Sequence, residues 1–251
     1  MKFYNYDEAI EADENADIIT QWEPLEVKID ENYEYVKTGK IFSFFSNLLY
    51  YGIAIPILKI IIKFVYDLKI EGKENIKNLK SGAISVSNHV LVLDCAMVGI
   101  TYGLKNIYYT TREGSFKIPF VRKLIKLLRA IPIPSGIDNK KHFINSINLL
   151  LKNNNIVHFY PEAALRPYCE KIRNFKNGAF TFSVNNDVPV VPIVIKFRNP
   201  KGIRKIFKRR KDVTLTILEP IFPDKNVLNK KDAIENLKKR VHQDMCMKMD
   251  E

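Results

Sequence analysis

The pattern of apolar and polar residues changes character twice along the chain. Up to about residue 40 no sustained apolar run forms. From Ile41 to Tyr66 the sequence IFSFFSNLLYYGIAIPILKIIIKFVY is apolar almost throughout. It is longer than the ~20 residues a helix needs to cross a bilayer, but Ser43, Ser46, Asn47, Gly52, Pro56, Lys59 and Lys63 interrupt it. Pro56 lacks an N–H and is expected to break or kink a helix. Lys59 and Lys63 lie one turn apart, where their ammonium groups can snorkel to headgroups. Phe42, Phe44, Phe45, Tyr50 and Tyr51 crowd the first half, as residues of a membrane interface do. The expectation is two short helices lying in or dipping into one leaflet, with a true span as second choice and a buried hairpin as third.

From residue 82 onward strand-like and helix-like segments alternate. GAISVSN, NIYYTTR, AIPIP, NIVHFYPE, VPVVPIVIKF and KDVTLTILEPI read as extended. Between them the stretch from Leu93 to Tyr102 and the segments PFVRKLIKLLRA, KKHFINSINLLLKNN and GAFTFSVNND read as helices, and NKKDAIENLKKRVHQDMCMKM closes the chain as a charged amphipathic helix. Such alternation predicts an α/β fold, a mostly parallel central sheet flanked by helices. The expected organisation is an acidic segment 1–40, a membrane-associating helical segment 41–70, a catalytic domain 71–225 and a C-terminal amphipathic helix 226–251.

Composition sharpens this picture. With 251 residues, 46% of them hydrophobic, a substantial core is expected rather than disorder. The net charge of +12 hides an asymmetry, because Asp7, Glu8, Glu11, Asp13, Glu14 and Asp17 precede any apolar run. The body is therefore more basic than the total implies, and a basic body points to an anionic partner or to a solvated lysine-rich surface. The aromatic and basic interleaving of an RNA platform is not evident, so a membrane surface is expected and nucleic acid is not. The acidic head is expected either to fold back on the basic body or to remain a solvated tail. No secretory leader pattern opens the sequence. Cys95, Cys169 and Cys246 are scattered and odd in number, so neither a disulfide framework nor a zinc site is expected.

Candidate chemistry begins at SVSNHVLVLDCAM, which sets His89 and Asp94 five positions apart in an apolar run. Five residues rotate a helix by about 500°, roughly 140° off a common face. If the side chains meet, His89 must sit at or before a helix start with Asp94 inside it. Histidine suits general-base work because it titrates near neutral pH. Alone the pair is weak, and a capping or core histidine is the alternative. A G-x-S-x-G elbow is absent, which argues against a soluble α/β-hydrolase.

Further blocks follow in order: EGSFKIPF and AIPIP, then FYPEAALR from Phe159 to Arg166, then FKNGAF and VPVVPIVI. Over roughly residues 70 to 220 the ordered set resembles the glycerolipid acyltransferase family, which includes the 1-acylglycerol-3-phosphate acyltransferases. Its blocks look like NHxxxxD, KELFxIPxxG…GxIxIDR, FPEGTR and VPIxPV. The resemblance implies transfer of a fatty acyl group from acyl-CoA or acyl-carrier protein to the hydroxyl of a lysophospholipid, at the cytoplasmic face of a membrane, with no cofactor and no metal. It implies His89 as general base, oriented by Asp94 as in Ser-His-Asp sites, with the acceptor hydroxyl in place of the serine. Backbone N–H groups of that turn are expected to help hold the tetrahedral oxyanion. Glu162, Lys176 and Gly178 match family positions and, with Arg166, are the candidate acceptor-binding residues, while Lys117, Arg122 and Lys123 are weaker candidate substrate contacts.

Two departures bear on the acceptor. The family arginine of the GxIxIDR segment falls at Ser135, and that of FPEGTR falls at Leu165, with Arg166 one position late. These arginines are linked in the family to the acceptor phosphate, which a guanidinium fork grips well. Either Arg166, Lys171 or Arg173 substitutes, or the acceptor is another lysophospholipid or an aminolipid. The basic helix with Arg122, Lys123, Lys126 and Arg129 is expected to meet lipid headgroups or CoA phosphates, or else to be a solvated face. A non-catalytic basic membrane-binding protein is the remaining alternative.

Overall fold

The computed structural model describes residues 33–37, 39–116, 119–136, 139–207 and 211–251. The acidic cluster Asp7–Asp17 and Lys117 lie outside the described residues.

In chain order the elements are α1 (Lys40–Tyr66), β1 (Lys69–Glu71), α2 (Glu74–Lys77), β2 (Ala83–Ser87), α3 (Asp94–Tyr102), β3 (Ile107–Arg112), α4 (Pro119–Leu127), β4 (Ala130–Ile133), α5 (Lys140–Lys152), β5 (Ile156–Phe159), α6 (Gly178–Asn186), β6 (Val190–Arg198), α7 (Ile203–Phe207), β7 (Asp212–Ile217) and α8 (Lys230–Asp250). The seven strands form one sheet in the order β1-β7-β6-β2-β5-β3-β4. The run from β6 to β4 is parallel, β7 pairs with β6 antiparallel, and β1 pairs with β7 in parallel. The mostly parallel α/β sheet expected from the alternation is thus the fold. The short pieces β1, α2 and α7 have no counterpart in the sequence pattern.

Alternation along the central strands divides the core between two faces, as the two-residue period of a strand requires. Ile84, Val86, Val190 and Val194 pack with Ile147 and Leu151 of α5, Phe180 of α6, and Leu237, Val241 and Met245 of α8. Ala83, Val191, Ile193 and Ile195 pack with Met97 and Val98 of α3 and with Tyr50, Ile62 and Tyr66 of α1. All five residues of β2 are buried, which is why AISVS reads as a continuous run rather than an alternating one.

The apolar segment corrects one expectation. It is a single helix of 27 residues, Lys40–Tyr66, and not two short ones. Leu48–Ala54 is π-helical, and Pro56 falls within the first turn of the α-helical part that follows. The wider i→i+5 turn just before Pro56 takes up the proline ring and its missing N–H, so the helix continues. By length and composition this helix could cross a membrane, and only 11% of its most apolar window is buried. Ser46, Tyr50, Ile62 and Tyr66 face the protein, whereas Ile41, Phe44, Phe45, Leu48, Ile53, Ile57, Ile60, Ile61 and Phe64 are exposed. α1 crosses α3 at Gly99, where a Cβ would lie 2.4 Å from the Tyr109 hydroxyl and 2.7 Å from that of Tyr50. Any side chain here would have to displace the two hydroxyls, which share a 2.6 Å hydrogen bond.

Candidate active site

The central parallel strands β2 and β5 end side by side, with Val86 opposite Phe159. The segments leaving these ends carry the candidate chemistry, the position where parallel α/β sheets build sites. Asn88 anchors the first segment by clasping the backbone of the neighbouring strand β6. Its side-chain amide donates to Ile195 O at 2.9 Å and its carbonyl accepts from Ile195 N–H at 2.8 Å.

His89 follows on the turn, and Asp94 is the first residue of α3. The two meet, with His89 Nδ1 3.0 Å from Asp94 Oδ2. The same oxygen accepts the N–H groups of Val90 at 2.7 Å and Leu91 at 3.0 Å. Asp94 therefore both orients the ring and ties down the turn that precedes its own helix. Its side chain is fully buried while that of His89 is 23% exposed. Burial pushes the Asp94 carboxyl upward, opposed by its bonds to His89 and to the two backbone N–H groups. With Nδ1 engaged, Nε2 is the nitrogen left to serve a substrate.

The second segment, leaving β5, covers the other side of the ring. Tyr160 stacks on His89 with centroids 3.8 Å apart and planes 15° from parallel. Glu162 Oε2 accepts the His89 N–H at 3.3 Å. Glu162 is held by Arg173, whose Nη2 and Nε lie 2.7 and 3.0 Å from Oε2 and whose N–H reaches Oε1 at 3.1 Å. Arg166 N–H donates to His89 O at 2.9 Å and Tyr168 N–H to Val90 O at 3.0 Å, so the two segments are zipped together. His158, one strand residue before Phe159, is fully buried between Ser85 and Ser87. Burial, and next the nearby His89, pull it down to about 3, so it stays neutral.

The structure thus gathers His89, Asp94, Glu162 and Arg166. Lys176 is exposed, and its N–H bonds Pro161 O at 2.8 Å. Gly178 opens α6, where a Cβ would meet nothing within 4 Å. Arg122 and Lys123 lie on α4, which packs against the turn Glu113–Phe116, β4 and the first turns of α1. Arg173 is committed to Glu162 and is not a spare cation. Ser135, at the missing-arginine position, donates from its hydroxyl and its N–H to Glu113.

Two expectations need correction. The N–H groups of His89, Val90 and Leu91 are all occupied by carboxylates, so this part of the turn cannot supply the oxyanion donors. Arg129 does not lie on a solvated face of the basic helix; it follows that helix in sequence. It is only 5% exposed and turns inward onto Asn47 and Tyr51. One residue was missed by sequence reasoning. Arg112 ends β3 on the same sheet edge, and its Nη2 reaches Ala163 O at 3.3 Å, beside Glu162. Its position as the last residue of the predicted strand NIYYTTR was the available signal. Among the described residues no group of three or more His, Cys, Asp and Glu side chains gathers as a metal site would require.

A histidine and a carboxylate are thus held at the ends of parallel strands, beside a second buried carboxylate, in a mostly parallel α/β fold. Residues 67–196, just over half of the chain, match the acyltransferase family, and the protein belongs to it. It is 31% identical over 135 residues to a chloroplastic 1-acyl-sn-glycerol-3-phosphate acyltransferase of Arabidopsis thaliana, covering 52% of this chain and 36% of that protein. A Brassica napus chloroplastic protein of the same description is 29% identical over 168 residues, covering 64% and 46% respectively. The chain thus spans under half the length of these two relatives. The crystal structure of the 1-acyl-sn-glycerophosphate acyltransferase of Thermotoga maritima superposes with a TM-score of 0.53 at 21% identity, covering 82% of this chain and 93% of that one. That likeness establishes the fold.

Proposed function

We propose that the protein is an O-acyltransferase working at a membrane surface, moving a fatty acyl group from acyl-CoA or acyl-carrier protein to the hydroxyl of a lysophospholipid such as 1-acylglycerol-3-phosphate. The observation that carries this reading is the His89–Asp94 bond, in which a carboxylate fixed by two backbone N–H groups orients an accessible imidazole. The named activities of the relatives support the substrate class.

In the proposed reaction Nε2 of His89 takes the acceptor hydroxyl proton as the oxygen attacks the thioester carbonyl carbon. Asp94 holds Nδ1–H and stabilises the imidazolium. Collapse of the tetrahedral intermediate breaks the C–S bond, and the departing thiolate takes the proton from Nε2. No acyl-enzyme forms. Tyr160 backs the ring. Glu162 fixes the His89 backbone, and Arg112, beside the Glu162 loop, offers a guanidinium to the acceptor phosphate where the usual arginine positions hold Ser135 and Leu165. The exposed apolar face of α1 would seat the protein on the cytoplasmic leaflet.

Purified His89→Ala, followed by thiol release from acyl-CoA with a lysophospholipid acceptor, tests the base. Undiminished turnover would sink the assignment. Comparing acceptors with and without the phosphate separates 1-acylglycerol-3-phosphate from another lysophospholipid or an aminolipid.

A further inference from the structure

Arg129 raises a question the catalytic site does not answer. It is 5% exposed and sits at φ 66°, a left-handed conformation uncommon outside glycine. Its guanidinium donates to the Tyr51 hydroxyl at 2.9 Å and to Asn47 Oδ1 at 2.6 Å, and lies 4.7 Å from the ring centroids of both Tyr50 and Tyr51. Every one of these partners is neutral, and among the described residues no carboxylate pairs with it. A buried cation without a counter-charge is unfavourable.

Arg129 also lines a cavity of about 110 Å³, together with Lys37, Lys126, Phe42, Asn47 and Tyr108. Asn106, just before β3, and Ala130, the first residue of β4, also line it. It therefore lies at the opposite edge of the sheet from His89, which follows the end of a parallel strand. Lys126 Nζ stands 4.0 Å over the Tyr33 ring and Lys37 Nζ 5.6 Å over that of Phe42. Burial first, then Lys37 and Arg122, pull the Lys126 ammonium below its usual range, and only Glu34 acts the other way. Three cations thus converge on one small space, while among the described residues Glu34 acts on Lys126 and Glu113 on Tyr35 of the lining.

We propose that this cavity binds a phosphate group, supplied by the headgroup of an anionic phospholipid in the membrane that α1 contacts. The first two turns of α1 supply the argument for a lipid source. Phe42, Ser43, Ser46 and Asn47 line the cavity, while Ile41, Phe44, Phe45 and Leu48 on the other side are exposed. One helix width, about 10 Å, separates the cations from an apolar surface. A phospholipid has the same arrangement, an anion set beside acyl chains. The site would hold a lipid away from the reaction centre, fixing how the enzyme sits on its surface.

The experiment measures partition of the full chain onto phosphatidylcholine vesicles with and without phosphatidylglycerol, and melting temperature in inorganic phosphate against chloride at equal ionic strength. Lys126→Ala and Lys37→Ala should each reduce the phosphatidylglycerol preference roughly fivefold, the effect of one lysine at an anionic surface. Lys126→Arg should restore it, and Lys239→Ala, an exposed control on α8, should leave it unchanged. An equal loss in the Lys239 control would overturn the site in favour of general surface charge. An unchanged preference in both cavity variants overturns the lipid source. If phosphate then still raises the melting temperature of the parent chain but not of Lys126→Ala, free phosphate is the ligand, and if it raises neither, the site itself is overturned. None of these readouts uses turnover, so they stand or fall apart from acyl transfer.

Discussion

Replacing Asp94 by asparagine preserves the outline of the side chain and removes its charge. One oxygen of Asp94 accepts three donors, the His89 ring and the N–H groups of Val90 and Leu91, while the other is buried with no partner among the described residues. The asparagine carbonyl can still accept the two backbone bonds, so the loop should persist and stability should change by about 1 kcal/mol or less, the lost charge-assisted bonds being offset by relief of a buried charge. Catalysis should respond differently. A neutral carbonyl does little for an imidazolium, and an amide that turns its NH₂ toward Nδ1 selects the tautomer with its proton on Nε2, where a base needs a lone pair. The comparable change in a Ser-His-Asp site costs about 10⁴-fold, or ~5.5 kcal/mol at 1.36 kcal/mol per decade. Asp94→Ala should add a stability loss of about 2–6 kcal/mol, because two buried N–H groups lose their acceptor. Thiol release from acyl-CoA with a lysophospholipid, read beside urea unfolding of each variant, separates the two effects. A folded Asp94→Asn enzyme within tenfold of the parent would refute the orienting role.

Glu162→Ala should destabilise by about 3 kcal/mol, since it strands the largely buried Arg173, and Glu162→Ala/Arg173→Met should recover part of that loss in denaturant titrations; strict additivity would argue against the pairing. Gly99→Val should cost at least about 1–3 kcal/mol by overpacking against Tyr50 and Tyr109, and should expose the face that α1 covers to a hydrophobic dye; a parent-like melting curve would contradict the close approach. His158 favours its neutral form in the fold, so its contribution is full above pH 6.5 and is lost as the pH falls toward about 3. Over that window unfolding free energy should drop by up to ~1.4 kcal/mol per pH unit from this one group. A His158→Gln protein with the same acid slope as the parent would rule the group out.

Much of the fold was legible because its signals are local. Long amphipathic segments such as KKHFINSINLLLKNN and buried runs such as VPVVPIVIKF carry their periodicity within themselves. β1 has only three residues, too few to show a period, and it exists because β7 offers an edge. The unbroken course of α1 was hidden because Pro56 is a helix breaker in an α-helix, whereas the π-helical turn that accommodates it leaves no mark in composition. At the site, the awkward spacing of His89 and Asp94 did encode their geometry, a residue on a turn and another at the helix start. The occupancy of the neighbouring N–H groups was not legible, because it depends on how a carboxylate is aimed. Arg129 read as surface for a related reason. It follows a basic helix in sequence, but a left-handed residue turns it inward, and no pattern of charges announces that turn.

The loop from Asn88 to Leu91 has a consequence for how the enzyme would spend its conformational freedom. Its side-chain amide is clasped by β6, its N–H groups from His89 to Leu91 end on two carboxylates, and its carbonyls at His89 and Val90 receive N–H groups from the segment after β5. In hydrogen bonding it behaves like a further short strand laid across the end of the sheet. His89 is thus set in place when the chain folds, and substrate binding would have no loop left to order around it. On the proposed reading, reorganisation during turnover would fall instead on the substrates, whose chains would have to align at a rigid surface. Differences in rate between acyl donors would then report on lipid extraction and chain alignment, with the proton-transfer apparatus the same for all of them.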